Sequence, residues 1–422
     1  MMRFDQRKVG AMRNTSWIGQ RAALAALVGS LVMGLSWAAS AQKVSTEEAA
    51  GYLVFPKIVV DTSGDLNGVP MDTVIRITNT SSSPTTVHCF YVDGTPRCTV
   101  GRGVDGFGAC NSNEDCASGG ICTLSSCDAQ NFDLNLTANQ PVGWRASEGV
   151  VTTGFCVGGT SPGLPCSANS DCSGIGASCQ TQDIGRVPPL APGVFLGELK
   201  CVQVVGTGDD PNTPVNRNDL VGNASIYRVN SALVDVQTYN AIGVQAVASD
   251  GSPQSDTTLL LGGQNREYAG CSAQVVVDHF FDNANLSATR QVTSDITLVP
   301  CSERLESDPN APVHTLQFVV FNEFEQRMSA STRFRCFRET QLSRLDRRAG
   351  QEAFSVFNVA VQGTLAGQTV IRPVLSGDGN PGNGILAVVE EFHRNPNNNA
   401  VRSASFNVHL RGDKSQADTV AY

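Results

Sequence analysis

Short apolar runs, alternating or continuous, are cut every few residues by Gly, Pro, Asn, Asp and Ser along most of the chain. Runs of that length and period predict strands and few helices. Tyr52–Asp61 (YLVFPKIVVD) reads as a strand that Pro56 places at a sheet edge. Residues 73–79 (TVIRITN) and 86–92 (TVHCFYV) are β-branched and aromatic, and Thr80-Ser81-Ser82-Ser83-Pro84 between them reads as the turn of a hairpin. Phe132–Leu136 alternates, and residues 195–205 (FLGELKCVQVV) close the first group. Helical signal is confined to Ser45–Ala50 and Glu339–Phe354.

The second half repeats this plan weakly. Residues 315–322 (TLQFVVFN) and 332–337 (TRFRCF) mirror the first hairpin, with Asn ending the first strand and Cys-Phe (Cys89-Phe90, Cys336-Phe337) inside the second. Residues 385–392 and 404–410 supply closing strands. Alternation puts Val87, Cys89 and Tyr91 on one face, Phe334 and Cys336 on one face, and Phe195, Leu199 and Cys201 on another. Cys89 and Cys201 are thereby expected to bridge two sheets, as in immunoglobulin-like domains. The expected fold is all-β: two β-sandwich (immunoglobulin-like) modules over 50–206 and 222–415, the first carrying two disulfide-rich loop insertions.

Those insertions, 98–127 and 156–179, form a second repeat. Cys98, Cys110, Cys116 and Cys122 match Cys156, Cys166, Cys172 and Cys179, with Asp115 and Asp171 just before the third Cys of each set. Gly and Ser replace apolar residues there, so cross-links must supply the order a core cannot. Four cysteines allow three pairings, which spacing leaves open. The inserts read as binding loops on a rigid scaffold or as shields for long loops against proteolysis; the second is preferred, because nothing in them converges chemically. Cys127, Cys271, Cys301 and Cys336 complete the set of 14.

The opening residues explain how so many disulfides can form. Arg3, Arg7, Lys8, Arg13 and Arg21 precede an uncharged apolar stretch from Ala22 to Ala38, followed by Ala39-Ser40-Ala41. This is the order of a secretory signal peptide spanning 1–41, cut between Ala41 and Gln42. Met12 is an alternative start that keeps the same arrangement. An even Cys count behind such a leader reads as disulfides and not zinc, since no C-x2-C pair occurs and no His lies near the clusters. The expected location is secreted, periplasmic or cell-surface, with no membrane span after cleavage. The chain's formal net charge of −9 becomes more acidic once the basic leader is removed. That disfavours nucleic acid and anionic membranes as partners.

The C-x5-C-x(5–6)-C unit with its Asp resembles short Cys-rich repeats in secreted proteins of myxobacterial type, and loosely the Dickkopf N-terminal Cys-rich module. The resemblance covers 98–127 and 156–179 and does not carry over the Dickkopf partners or signalling role. Residues 77–93 and 318–337 resemble uncharacterised exported bacterial proteins. Arg exceeds Lys, which fits a bacterial source, so the acceptor strings at Asn79, Asn135, Asn223 and Asn285 are not read as glycosylated.

Catalytic strings fail on context. Gly159-Thr160-Ser161-Pro162-Gly163 fits G-x-S-x-G but lacks the strand-to-helix elbow. Gly101–Gly106 and Gly377–Gly382 fit G-x-G-x-x-G without a receiving helix. His88, His279, His314, His393 and His409 are dispersed. Glu390 and Glu391 face opposite ways on a strand and read, with His393, as a solvated strand end. Calcium is the better cofactor candidate, at Asp61–Gly68 or at Asp378, Asn380 and Asn383; without a full ligand set these are read as turns and no cofactor is assigned. The expectation is an exported non-enzymatic structural or binding protein, its partner a glycan or cell-surface protein. A carbohydrate-active module, binding or hydrolysing, is the alternative.

Overall fold

The computed structural model describes residues 44–66, 68–100, 116, 119–123, 127–150, 154–166, 168–181, 185–208, 210–230, 233–247, 259–262, 267–302, 304–305, 313–347, 350–374, 384–397 and 401–413. Antiparallel strands dominate them. The expected leader, its expected cleavage site at Ala41 and Gln42, Cys110, Asp115 and the 377–383 cluster lie outside the described residues.

The N-terminal half is linked as one ladder in the order Leu233–Asn240, Leu220–Asn230, Met71–Asn79, Tyr52–Asp61, Val194–Val204, Thr85–Asp93, Ala129–Leu136. Met71–Asn79 joins Tyr52–Asp61 through one residue pair only, Asp61 with Met71. The ladder therefore falls into two leaves. One holds Tyr52–Asp61, Val194–Val204, Thr85–Asp93 and Ala129–Leu136. The other holds Met71–Asn79, Leu220–Asn230, Leu233–Asn240 and Pro141–Arg145. Side chains stitch leaf to leaf: Trp144 Nε1 donates to Tyr91 Oη at 2.7 Å, and Thr73 Oγ1 both accepts from Val59 N and donates to Val59 O. Residues 220–244, expected in part to begin the second module, pair with first-half strands instead.

Three expectations change here. Met71–Asn79 and Thr85–Asp93 are not a hairpin, because they pair with different neighbours in different leaves. Asn79 directs the crossing: its Nδ2 donates to Ser83 O and Thr137 O, and its Oδ1 accepts from Ser81 N. His314–Asn322 and Arg327–Phe334 do form a hairpin, so the two halves do not repeat this connection. Tyr52–Asp61 is an interior strand, buried at every position, although it contains Pro56. Its partner Val194–Val204 shifts register between Gly197 and Leu199, and Ile242–Val244 reaches only Val54 on the other edge. Pro56 thus sits where neither neighbour needs its missing N–H. Finally, Cys89 and Cys201 are direct partners on adjacent strands, 4.1 Å apart at Cα, so their disulfide lies within one leaf and does not join two sheets. Counting faces could not distinguish these cases, since both cysteines face the core either way.

The C-terminal half has two sheets. One runs Arg327–Phe334, His314–Asn322, Ala366–Pro373, Ser272–Phe280, His409–Asp413; the other runs Ala284–Ser287, Arg290–Pro300, Ile385–Arg394, Val401–Asn407, with Arg338–Gln341 beside Arg290–Pro300. Ile385–Arg394 is apolar on both faces for a reason. Ile385, Ala387 and Val389 enter the C-terminal core with Phe318 and Phe357, whereas Leu386 and Val388 enter the N-terminal core. A strand buried on both sides loses the polar alternation of a half-exposed one. The Glu339–Phe354 segment is a strand end and two 3-10 turns, not a helix, and Ser45–Ala50 is a strand end followed by bends.

The halves share a seam within one compact unit, Lys43–Tyr422. Asn407 Nδ2 donates to Asn240 O and Asn407 Oδ1 accepts from Asn240 N, so two edge strands are sewn by one amide. Cys336 lies in a bend beyond its strand, not inside it, and bonds Cys127 across 209 residues of sequence. Beside that bridge a Cβ on Gly94 would come within 2.3 Å of Phe337 Cβ, so only glycine permits this approach. Replacing Cys127 and Cys336 by Ser should lower global stability by about 2–5 kcal/mol in chemical denaturation, because the closed loop is long. Replacing Cys156 and Cys172, which close a local loop, should leave the global transition within about 0.5 kcal/mol and show only as faster proteolysis of that insert.

Candidate functional site

Strand register places three irregular segments at one end of the N-terminal leaves. Asp61 pairs with Val194 and with Met71, Asp93 lies opposite Gly197, Val92 opposite Ala129, and Val74 opposite Arg145. The 61–71 loop, the first insert after Asp93 and the second insert after Arg145 therefore all leave from the same end. Their roots are tied down. Thr95 N and Arg97 Nη2 donate to the Asp93 carboxylate, Ser147 Oγ donates to Asp72 Oδ2 at 2.6 Å, and Leu190 N donates to Ala146 O.

The second insert is a small sheet in the order Pro165–Cys166, Gly154–Val157, Ser178–Thr181. Cys156–Cys172 and Cys166–Cys179 lock it, first cysteine to third and second to fourth. The first insert repeats the first-to-third bridge as Cys98–Cys116, and Cys122 is disulfide-bonded as well. Asp171 earlier stood out only by position; its Oδ2 accepts from Ala168 N and closes a 3-10 turn. The G-x-S-x-G string is part of the same knuckle: Gly159 has φ +66°, and a Cβ there would lie 2.2 Å from Ser173 O. It serves as a turn. With sulfur at the centre, apolar side chains point outward. Ile121, Phe155 and Leu164 are more than half exposed, and Ile175 is fully so. Phe155 and Val157 share one face of the small sheet.

The acid-rich loop spends its best ligand on the backbone. Asp61 is buried, with Oδ1 accepting from Asp65 N and Oδ2 from Leu66 N, both at 2.8 Å. That is the bonding of an Asx-type turn.

Glu390 overturns its expected role as part of a solvated strand end. It is 1% exposed and contacts Lys57 Nζ through Oε2, while Arg228 Nη2 lies 3.1 Å from Oε1. Lys57 Nζ also donates to Glu339 Oε1 at 2.6 Å. Burial pushes the Glu390 carboxyl up, but Lys57 and Arg228 together hold it below the usual range. Burial pushes the Lys57 ammonium down, but Glu339 and Glu390 hold it above its usual value. Asp295, directly opposite Glu390 and itself only half-buried, is pushed up to about 8 by desolvation at the seam and then by the charges of Glu339 and Glu390. Glu391 points the other way, to His393. The two glutamates cannot flank one glycosidic bond, and no sugar can reach Glu390. The one sequence signal for this cluster is the single Lys inside a mostly apolar strand; Arg228, Asp295 and Glu339 carry none.

His279, lowered to about 4 by burial, bonds Thr369 Oγ1 and lines an open cleft of about 440 Å³ with Asp278, near which His409 lies, and with Glu391, which holds His393; His88 bonds Asp133. An open cleft of about 730 Å³ is lined by residues including Glu47, Glu48, Arg76 and Asn223, and by no aromatic ring. The six bridges among the described residues suggest an oxidising extracellular environment. Among the described residues no helix is long and apolar enough to cross a membrane. No protein-family model matches the chain, and no curated protein matches it.

Asp295 sets a pH dependence. Its folded pKa lies above that of the unfolded chain, so the folded state holds a proton that the unfolded state releases between about pH 4 and 8. Its contribution to stability is therefore intact below that window and falls away as pH rises through it. Asp295→Asn should raise the melting temperature relative to wild type at pH 8, and the gain should shrink at pH 5.

Proposed function

We propose that this chain is an exported, non-enzymatic binding or structural protein of the cell surface or periplasm, and that the knuckle end is its contact surface. In this reading each half is a β-sandwich of immunoglobulin-like kind, and residues 1–41 are the cleaved leader. The carrying observation is the register: both inserts and the 61–71 loop leave one end of the same strands. Shielding alone does not require outward apolar side chains, whereas contact with another protein does. The resemblance of the knuckles to Cys-rich repeats of exported myxobacterial-type proteins supports the same reading. A cell-surface protein is the favoured partner, because Phe155, Val157, Leu164 and Ile175 offer apolar area on a rigid base.

The carbohydrate reading has one supporting feature. Arg76 Nη1 donates to Asn223 Oδ1 and Ser225 Oγ beside the 730 Å³ cleft, a polar array of the sort that fixes hydroxyls. Fluorescently labelled mature protein should bind intact cells of the source organism saturably. Phe155→Ser with Ile175→Ser should weaken that binding at least tenfold, and Arg76→Ala should not. No saturable binding, or binding indifferent to the knuckle changes, would refute the proposal. Glycan-array binding lost in Arg76→Ala would establish the alternative.

A further inference from the structure

Five ionisable groups meet on the seam between the halves. Lys57 comes from the N-terminal leaf and Arg228 from the strand across the core; Glu339, Asp295 and Glu390 come from three neighbouring strands of one C-terminal sheet. Thr297 pairs with Glu339 and Asp295 with Glu390, so the carboxylates form a diagonal on the sheet face that meets Lys57. Lys57 and Glu390 are each 1% exposed, and their side chains touch. Taking two such charges out of water is costly, and a neutral product would remove that cost.

We propose that Lys57 and Glu390 condense spontaneously into a side-chain amide, a covalent cross-link between the two halves. The Nζ–Cδ bond forms and the Cδ–Oε2 bond breaks. Two of the three ammonium protons leave with Oε2 as one water, and the third stays on the amide nitrogen. No oxidant, reductant or cofactor enters the balance. Each neighbour has a place in this step. Glu339 Oε1, 2.6 Å from Nζ, takes the first proton and frees the lone pair. Arg228 Nη2, 3.1 Å from Oε1, holds the oxygen on which charge builds when the amine adds. Asp295, directly opposite Glu390 and holding its proton at neutral pH, relays that proton to departing Oε2 and is restored by the proton that Glu339 took, so in sum both protons of the water come from the ammonium. Fixing amine and carboxyl in contact replaces the activation that amide formation requires in water. The assignment is independent of the knuckle end and of what it binds.

The test is mass analysis of the full-length protein, exported to the periplasm of a bacterial host, then purified, reduced, alkylated and denatured. The expected product is lighter by one water than its sequence requires. In a tryptic map the peptides carrying Lys57 and Glu390 run as one branched species. Lys57→Arg should restore both linear peptides and the missing water. Glu339→Gln, which keeps Lys57 and Glu390, should slow linkage about a hundredfold, read as the linked fraction early after refolding. Recovery of Lys57 in a linear peptide from the wild-type protein, at full mass, overturns the proposal. A branch at Glu339 in place of Glu390 overturns it equally. If Lys57→Arg does not fold, the wild-type map alone decides.

Discussion

A single lysine, Lys57, buried in a strand with no solvent face, organises the joint between the two halves. Tyr52–Asp61 is covered on one side by its facing leaf and on the other by the strands Arg290–Pro300 and Ile385–Arg394. An ammonium in that position is tolerable only with carboxylates beside it, and those come from the other half. The ladder is interrupted at the same place: Pro56 falls at a register shift, and Tyr239 Oη bonds both the N–H and the C=O of Lys57. The backbone groups left over by the bulge and the charge on the side chain are thus satisfied by different elements. Neutralising the charges of one half alone would leave the facing charges of the other buried and uncompensated, so the two faces of the joint depend on each other.

Strand content, the Cys-rich inserts and their repeated pattern were legible in the chain because they depend on local chemistry. Alternation, turn residues and cysteine spacing act over a few positions. Partner choice was less legible. Residues 73–79 and 86–92 look like a hairpin, yet the Asn79 side chain sends the chain to the other leaf. Asn322 makes a similar bond, its Oδ1 accepting from Phe324 N, and there the hairpin forms. The same local motif serves both connections, and only the long-range pairing differs. Pro56 misled for a related reason: proline marks a missing ladder bond, and a bulge supplies one in a strand interior as well as an edge does. The Glu390 cluster was the least legible, since its members come from five strands.

The knuckles and the seam solve one problem in two ways. Insert segments poor in apolar residues cannot hold shape by burial, so disulfides fix them and leave their few apolar side chains facing out. The seam has apolar area enough, and adds the Cys127–Cys336 bridge beside it. That bridge roots the first insert on the C-terminal half, so the end that carries the inserts is held by both halves. An oxidising compartment is a requirement of this arrangement.

The central claim is that the two halves behave as one body locked at the seam. Differential scanning calorimetry of the oxidised protein tests it most directly. One transition, with calorimetric and van't Hoff enthalpies in agreement, is the predicted result. Two separated transitions, or a calorimetric enthalpy about twice the van't Hoff value, would show that the halves unfold independently and would contradict the account.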